Sequence, residues 1–194
     1  MKKRNITKII VSMSILVALA AVLSIADRYI SSTFLSAFPV VGLIFPYFKI
    51  GIANIIVLII IYNYQFRYSI VAVILKSIIV ALFSPTSLTT FIIGFSGTIL
   101  SFFGMFFLKN ISCKNTFMIF VSLVGGFMHS LGQILATLAL YNMFATQTVL
   151  LYSPLILLIG IISGTIVGII TFKLNDLIKK HNLLKIQGDN KYEW

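Results

Sequence analysis

The chain has 194 residues, of which 59% are hydrophobic and 10% charged, and its mean hydropathy is +1.08. A soluble surface carries about a quarter charged residues, so water is not the main solvent of this fold. Fifteen Lys and Arg face four acids, but the bases sit in short clusters between long apolar runs, as loops beside membrane spans do. That pattern lacks the basic groove or stripe of a nucleic-acid binder, and no nucleic-acid partner is expected. Cys113 is the only cysteine, which excludes an intrachain disulfide and a cysteine metal cluster.

The chain opens on Lys2, Lys3, Arg4 and Lys8 and continues into an apolar run from Ile9 to Ile25. This resembles a signal peptide, but its length approaches a full span and more spans follow, so it is read as a retained first helix. Six segments reach or approach the roughly 20 apolar residues that a span requires: 7–27, 49–65, 68–84, 88–108, 117–142 and 148–173. The expected fold is all-α, a polytopic bundle of six transmembrane helices in the cell membrane. With the N-terminus in the cytoplasm, Arg67, Lys109, Lys114 and the C-terminal lysines share the inner side, which satisfies the positive-inside bias. Both termini are then cytoplasmic. Residues 1–174 form the helical domain and 175–194 a basic tail suited to the anionic inner leaflet.

The first connection, from Arg28 to Phe48, contains SSTFLSAFPVVGLIFPYF and is broken by Pro39 and Pro46. Proline removes a backbone donor, and unpaired backbone cannot face lipid. The segment is either a lid over the outer mouth of the bundle or a loop lying in the interface. Small residues four apart recur in three helices: Ser14 with Ala18 and Ala20 with Ser24 in the first, Ser122, Gly126 and Ser130 in the fifth, and Gly160, Gly164 and Gly168 in the sixth. Such stripes let backbones approach closely. Packing within the chain accounts for them, and for the first helix a surface for another subunit is a second reading.

Ionisable groups inside a membrane are costly and mark functional positions by default. Lys76 lies mid-span in VILKSIIV, and Asn54 follows Lys49 in FKIGIANIIV. His129 and Gln133, in VGGFMHSLGQILATLALY, lie four apart and share one helix face. On a continuous helix Asn54 would lie about 7 Å below Lys49, and Gln133 roughly 15 Å below the outer surface. The polar groups would thus step from the outer mouth to mid-membrane. Asp27 is read near the outer end of the first helix beside Arg28, leaving no acid at the depth of Lys76. His129 and Gln133 can also be read as interhelical hydrogen-bonding residues. For Lys76, a ligand- or water-filled cavity is the expectation.

The order FKIGIANIIVL, then Lys76-Ser77, then GGFMHSLGQIL resembles the membrane family labelled heptaprenyl diphosphate synthase component I, also called Gx transporters. The likeness covers about residues 14–173. Such proteins look like relatives of the substrate-binding S components of energy-coupling factor transporters. The resemblance implies an outward pocket capped by the first loop, and first-helix residues Ser14, Ala18, Ala20 and Ser24 docking a transmembrane coupling subunit that works with two ATPases. The family more often has Arg at the position of Lys76, and Asn at that of Ser130.

Prenyl chain elongation needs clustered aspartates to hold magnesium on a diphosphate. Only Asp189 and Glu193 lie within four residues of each other, so no enzyme activity is expected of this polypeptide alone. It contains no GxxxxGK[ST] phosphate loop, and no cofactor is expected. The resulting expectation is a substrate-binding transport subunit with Lys49, Asn54, Lys76, His129 and Gln133 around a small, anionic and partly apolar molecule: isoprenoid, quinone-related, or flavin- or vitamin-like. Two alternatives stand beside it. One is a non-catalytic membrane partner of a prenyl diphosphate synthase or of a quinone or flavin electron-transfer system. The other is a secondary transporter whose proton rides on His129.

Overall fold

A computed structural model of the chain describes residues 2–36, 51–83, 87–111, 117–140 and 143–180. Those residues form six helices and no strand: α1 (Lys2–Ser36), α2 (Asn54–Asn63), α3 (Phe66–Phe83), α4 (Leu88–Ile111), α5 (Met118–Leu140) and α6 (Met143–Lys180). All except α2 are long and apolar enough to cross a membrane. The expected all-α, multi-pass architecture is therefore present, with two differences in how its helices begin and end.

The first concerns α1, which runs on to Ser36 instead of ending near residue 27. The hydroxyls that make this stretch look like a loop turn back onto their own helix. Ser32 Oγ donates to the Tyr29 carbonyl at 2.8 Å, and Thr33 Oγ1 to the same oxygen at 3.0 Å. Ser36 Oγ donates to the Thr33 carbonyl at 2.6 Å. Hydroxyls satisfied in this way do not compete with the helical ladder strongly enough to end it. Residues 28–36 of the expected lid are thus helical, and the part with Pro39 and Pro46 lies outside the described residues, as does Lys49.

The second concerns α2. In place of a span over 49–65, a turn at Gly51 (φ +94°) leads into a helix of only ten residues. At 1.5 Å per residue it is about 15 Å long, half the hydrocarbon thickness. Apolar side chains surround it, and Val57, Leu58, Ile59, Ile60 and Ile61 are all buried. A helix hydrophobic all round belongs in a core, and α2 occupies that place among its neighbours.

Its C-terminal carbonyls are closed by side chains from three elements, one of them held in place by a fourth. Asn63 Nδ2 donates to the Ile59 carbonyl at 2.8 Å and to Asn175 Oδ1 of α6 at 2.9 Å. Ser69 Oγ of α3 reaches the Ile60 carbonyl at 3.4 Å. Lys109 of α4 donates to the Ile61 carbonyl and lies 5.6 Å from the Tyr62 ring centre. A cation there also opposes the negative end of the helix dipole.

Glycines hold α4, α5 and α6 together. A Cβ at Gly126 would lie 2.1 Å from the Gly160 carbonyl, and one at Gly164 would lie 2.6 Å from the Ser122 carbonyl. The stripes on α5 and α6 therefore pack against each other within the chain. On α1 the small residues divide: Ala20 and Ser24 are buried, whereas Ser14 and Ala18 are exposed on the outer face.

Gly126→Val would force α5 off α6, and overpacking of this kind costs about 1–3 kcal/mol or more. Gly104→Ala is the control, since its Cβ would meet no backbone, only the Met128 side chain at Cγ (2.9 Å) and Cβ (3.4 Å). Heating detergent-solubilised variants before size-exclusion chromatography should show Gly126→Val aggregating at clearly lower temperature, with Gly104→Ala near the parent chain.

Candidate functional site

Three elements bring polar side chains to one level. Asn54 opens α2, Lys76 lies mid-way along α3, and His129 mid-way along α5. Counted from the end of the bundle holding Asn63, Phe66 and Met118, each is about 15 Å up at 1.5 Å per residue. Together they line a cavity of about 40 Å³, with Asp27 and Arg28 of α1 and Thr90 and Thr98 of α4 in its walls. The expected staircase from outer mouth to mid-membrane is thus a single chamber. Counting down from Lys49 assumed a continuous helix, and the turn at Gly51 breaks that count.

The chamber differs from expectation at Asp27 as well. Because α1 continues beyond it, Asp27 is an interior residue, 2% exposed, in the same cavity as Lys76. Its Oδ2 accepts the Gly51 backbone N–H at 2.9 Å, and its Oδ1 the Ser31 hydroxyl at 3.4 Å. The carboxylate therefore fixes the turn from which α2 starts. Gly51 in turn donates no side chain to the chamber: at φ +94° an L residue is strained, and its Cβ would stand 3.1 Å from Asn54 Nδ2. One sequence signal pointed to Asp27. It is the only acid within the six predicted spans.

Lys76 and His129 are both buried, 6% and 5% exposed. Gln133 does not line the cavity but stands behind it, its Nε2 lying 3.2 Å from His129 Nε2. A neutral imidazole satisfies that contact in either tautomer, the amide turning to suit. The pair fits against α4 because residue 97 is glycine: a Cβ there would lie 2.8 Å from the His129 carbonyl and 2.9 Å from Gln133 Cγ. Gln133 Oε1 has no hydrogen-bond partner among the described residues.

Other lining residues set the character of the walls. Ser77 and Thr98 donate their hydroxyl protons to carbonyls of their own helices, at 2.9 and 2.8 Å, which leaves oxygen lone pairs as acceptors. Phe91 and Phe95 of α4 stack with ring centres 5.6 Å apart and form an apolar wall. Ser24 of α1 lines the chamber too, so it belongs to the interior, while Ser14 and Ala18 face outward. The site thus draws on α1 and α4 in addition to the three helices expected from sequence.

A space of this size admits about three waters, at some 10–15 Å³ each. It is polar, contains charges of both signs, and is enclosed by apolar helices. Such a chamber can hold a small charged or hydrogen-bonding group, with the stacked phenylalanines beside it for an apolar portion.

No curated protein and no solved structure matches the chain. The family model described as Heptaprenyl diphosphate synthase component I matches residues 16–174 and so covers all six helices except the first turns of α1 and the end of α6. Every cavity-lining residue named above falls inside that match. The chain is a multi-pass membrane protein and belongs to the heptaprenyl diphosphate synthase component I family.

Proposed function

We propose that this protein is a substrate-binding subunit for membrane transport that captures a small, anionic, partly apolar molecule from outside the cell. One observation carries the reading: Asn54, Lys76 and His129 converge on a single chamber at mid-depth in a bundle of apolar helices. Membrane interiors exclude such groups unless they face a cavity, a ligand or one another. Lys76 supplies charge, Asn54 and His129 supply directional hydrogen bonds, and Gln133 orients the imidazole. Phe91 and Phe95 receive the apolar part. Lys49, expected from sequence to join the site, lies outside the described residues.

Positive-inside bias puts both termini in the cytoplasm of a cell-membrane protein. Lys109 and Asn175 meet the C-terminal end of α2, so Arg67, Lys109 and Lys173 gather at one end of the bundle, which suits that orientation. The chamber then takes its ligand from the other side. Release inward requires a partner, and the exposed Ser14 and Ala18 on α1 offer a close-packing face to a transmembrane coupling subunit driven by two ATPases.

The family description favours a second reading, in which the chain is a non-catalytic membrane component beside a soluble prenyl diphosphate synthase. Mild-detergent purification of the tagged chain from its own cells separates the two. Recovery of a coupling protein with paired ATPases is expected; recovery of a synthase without ATPases would replace transport by the second reading.

Lys76→Met preserves much of the side chain's volume and removes its charge. The variant should insert and elute as the parent does, while anion-dependent thermal stabilisation in detergent falls at least tenfold in apparent affinity. Unchanged affinity would remove Lys76 from the site and with it the main support for this reading.

A further inference from the structure

Resting on that reading, we infer that Asp27 sets the charge of the ligand: the chamber accepts a monoanionic head, such as a carboxylate or sulfonate, and rejects a dianionic one. Four ionisable residues line the cavity among the described residues: Asp27 and Arg28 from α1, Lys76 from α3 and His129 from α5. The cavity-lining residues of α2 and α4 are uncharged. Arg28 and Lys76 against Asp27 are two cations and one carboxylate, which leaves a single positive charge. One negative charge from a ligand neutralises the chamber.

Among the described residues a second negative charge has no counterpart there. Burial of an uncompensated charge in a low-dielectric interior is strongly unfavourable, so a dianion meets a penalty that a monoanion avoids. Asp27 cannot readily swing away to relieve it. Its two oxygens hold the Gly51 N–H and the Ser31 hydroxyl, and releasing them would free the turn that starts α2. Size points the same way. A cavity that admits about three waters suits a compact head such as one carboxylate or sulfonate. Beside it, the stacked Phe91 and Phe95 suit a flat or aromatic body.

Benzenesulfonate and phenylphosphonate test this with one ring and one tetrahedral head shape. At about pH 8.5, above the second ionisation of an arylphosphonate, which lies somewhat higher than the roughly 6 of a phosphate monoester, they carry one and two negative charges. Isothermal titration of the purified full chain in detergent should give benzenesulfonate at least a tenfold lower Kd than phenylphosphonate. Asp27→Asn, which keeps an acceptor oxygen for Gly51, should shift that ratio at least tenfold toward the dianion. A parent chain that prefers the dianion overturns the inference, as does an Asp27→Asn variant with an unchanged ratio. Should Asp27→Asn fail to fold, the parent's own ratio still decides. Failure of both probes to bind, by contrast, would remove the anion site itself.

Discussion

A helix that stops half-way across a bilayer leaves unpaired backbone groups where no water can reach them. This protein contains such a helix in α2, and much of its architecture follows from closing the two ends. At the lower end, Asn63, Ser69 and Lys109 take up the carbonyls of residues 59 to 61, and Asn175 anchors Asn63. At the upper end the Asp27 carboxylate receives the Gly51 N–H. Closing that upper end brings a buried carboxylate to mid-depth, and the chamber with its cations forms around it. The same contact that completes the backbone therefore shapes the electrostatics of the site.

The remaining helices provide a frame for this arrangement. Glycine contacts fix α4, α5 and α6 at a spacing that side chains would prevent. The same packing positions His129, since Gly97 lets α5 approach α4 at the level of the imidazole. The site thus has a wall fixed by close backbone contact, facing α2 and the inner face of α1. Residues that read as packing motifs and residues that read as binding groups belong to one mechanical unit.

Much of this was legible in the sequence because a charge or amide stands out in an apolar run. Lys76, His129 and Gln133 were visible for that reason, and so was the multi-pass architecture. Asn54 was visible too, but its depth was not. The helical rise gives depth only along an unbroken helix, and the left-handed turn at Gly51 interrupts it. Asp27 was misplaced because Ser31, Ser32, Thr33 and Ser36 look like loop residues until their hydroxyls are seen bonding within α1. Single-helix patterns do not tell which face of α1 turns inward, so Ser14, Ala18, Ala20 and Ser24 read alike, although only the last two are buried.

The central claim is that a polar chamber at mid-membrane opens to the outside. Substituted-cysteine labelling tests it most directly. Cys113 is the only native cysteine, so a Cys113→Ser background leaves Ser77→Cys, on the chamber wall, as a single target. A small, membrane-impermeant, charged thiol reagent applied to intact cells should label it, and a ligand-sized anion should slow the labelling. Labelling from the cytoplasmic side alone, or none from either side, would contradict the account.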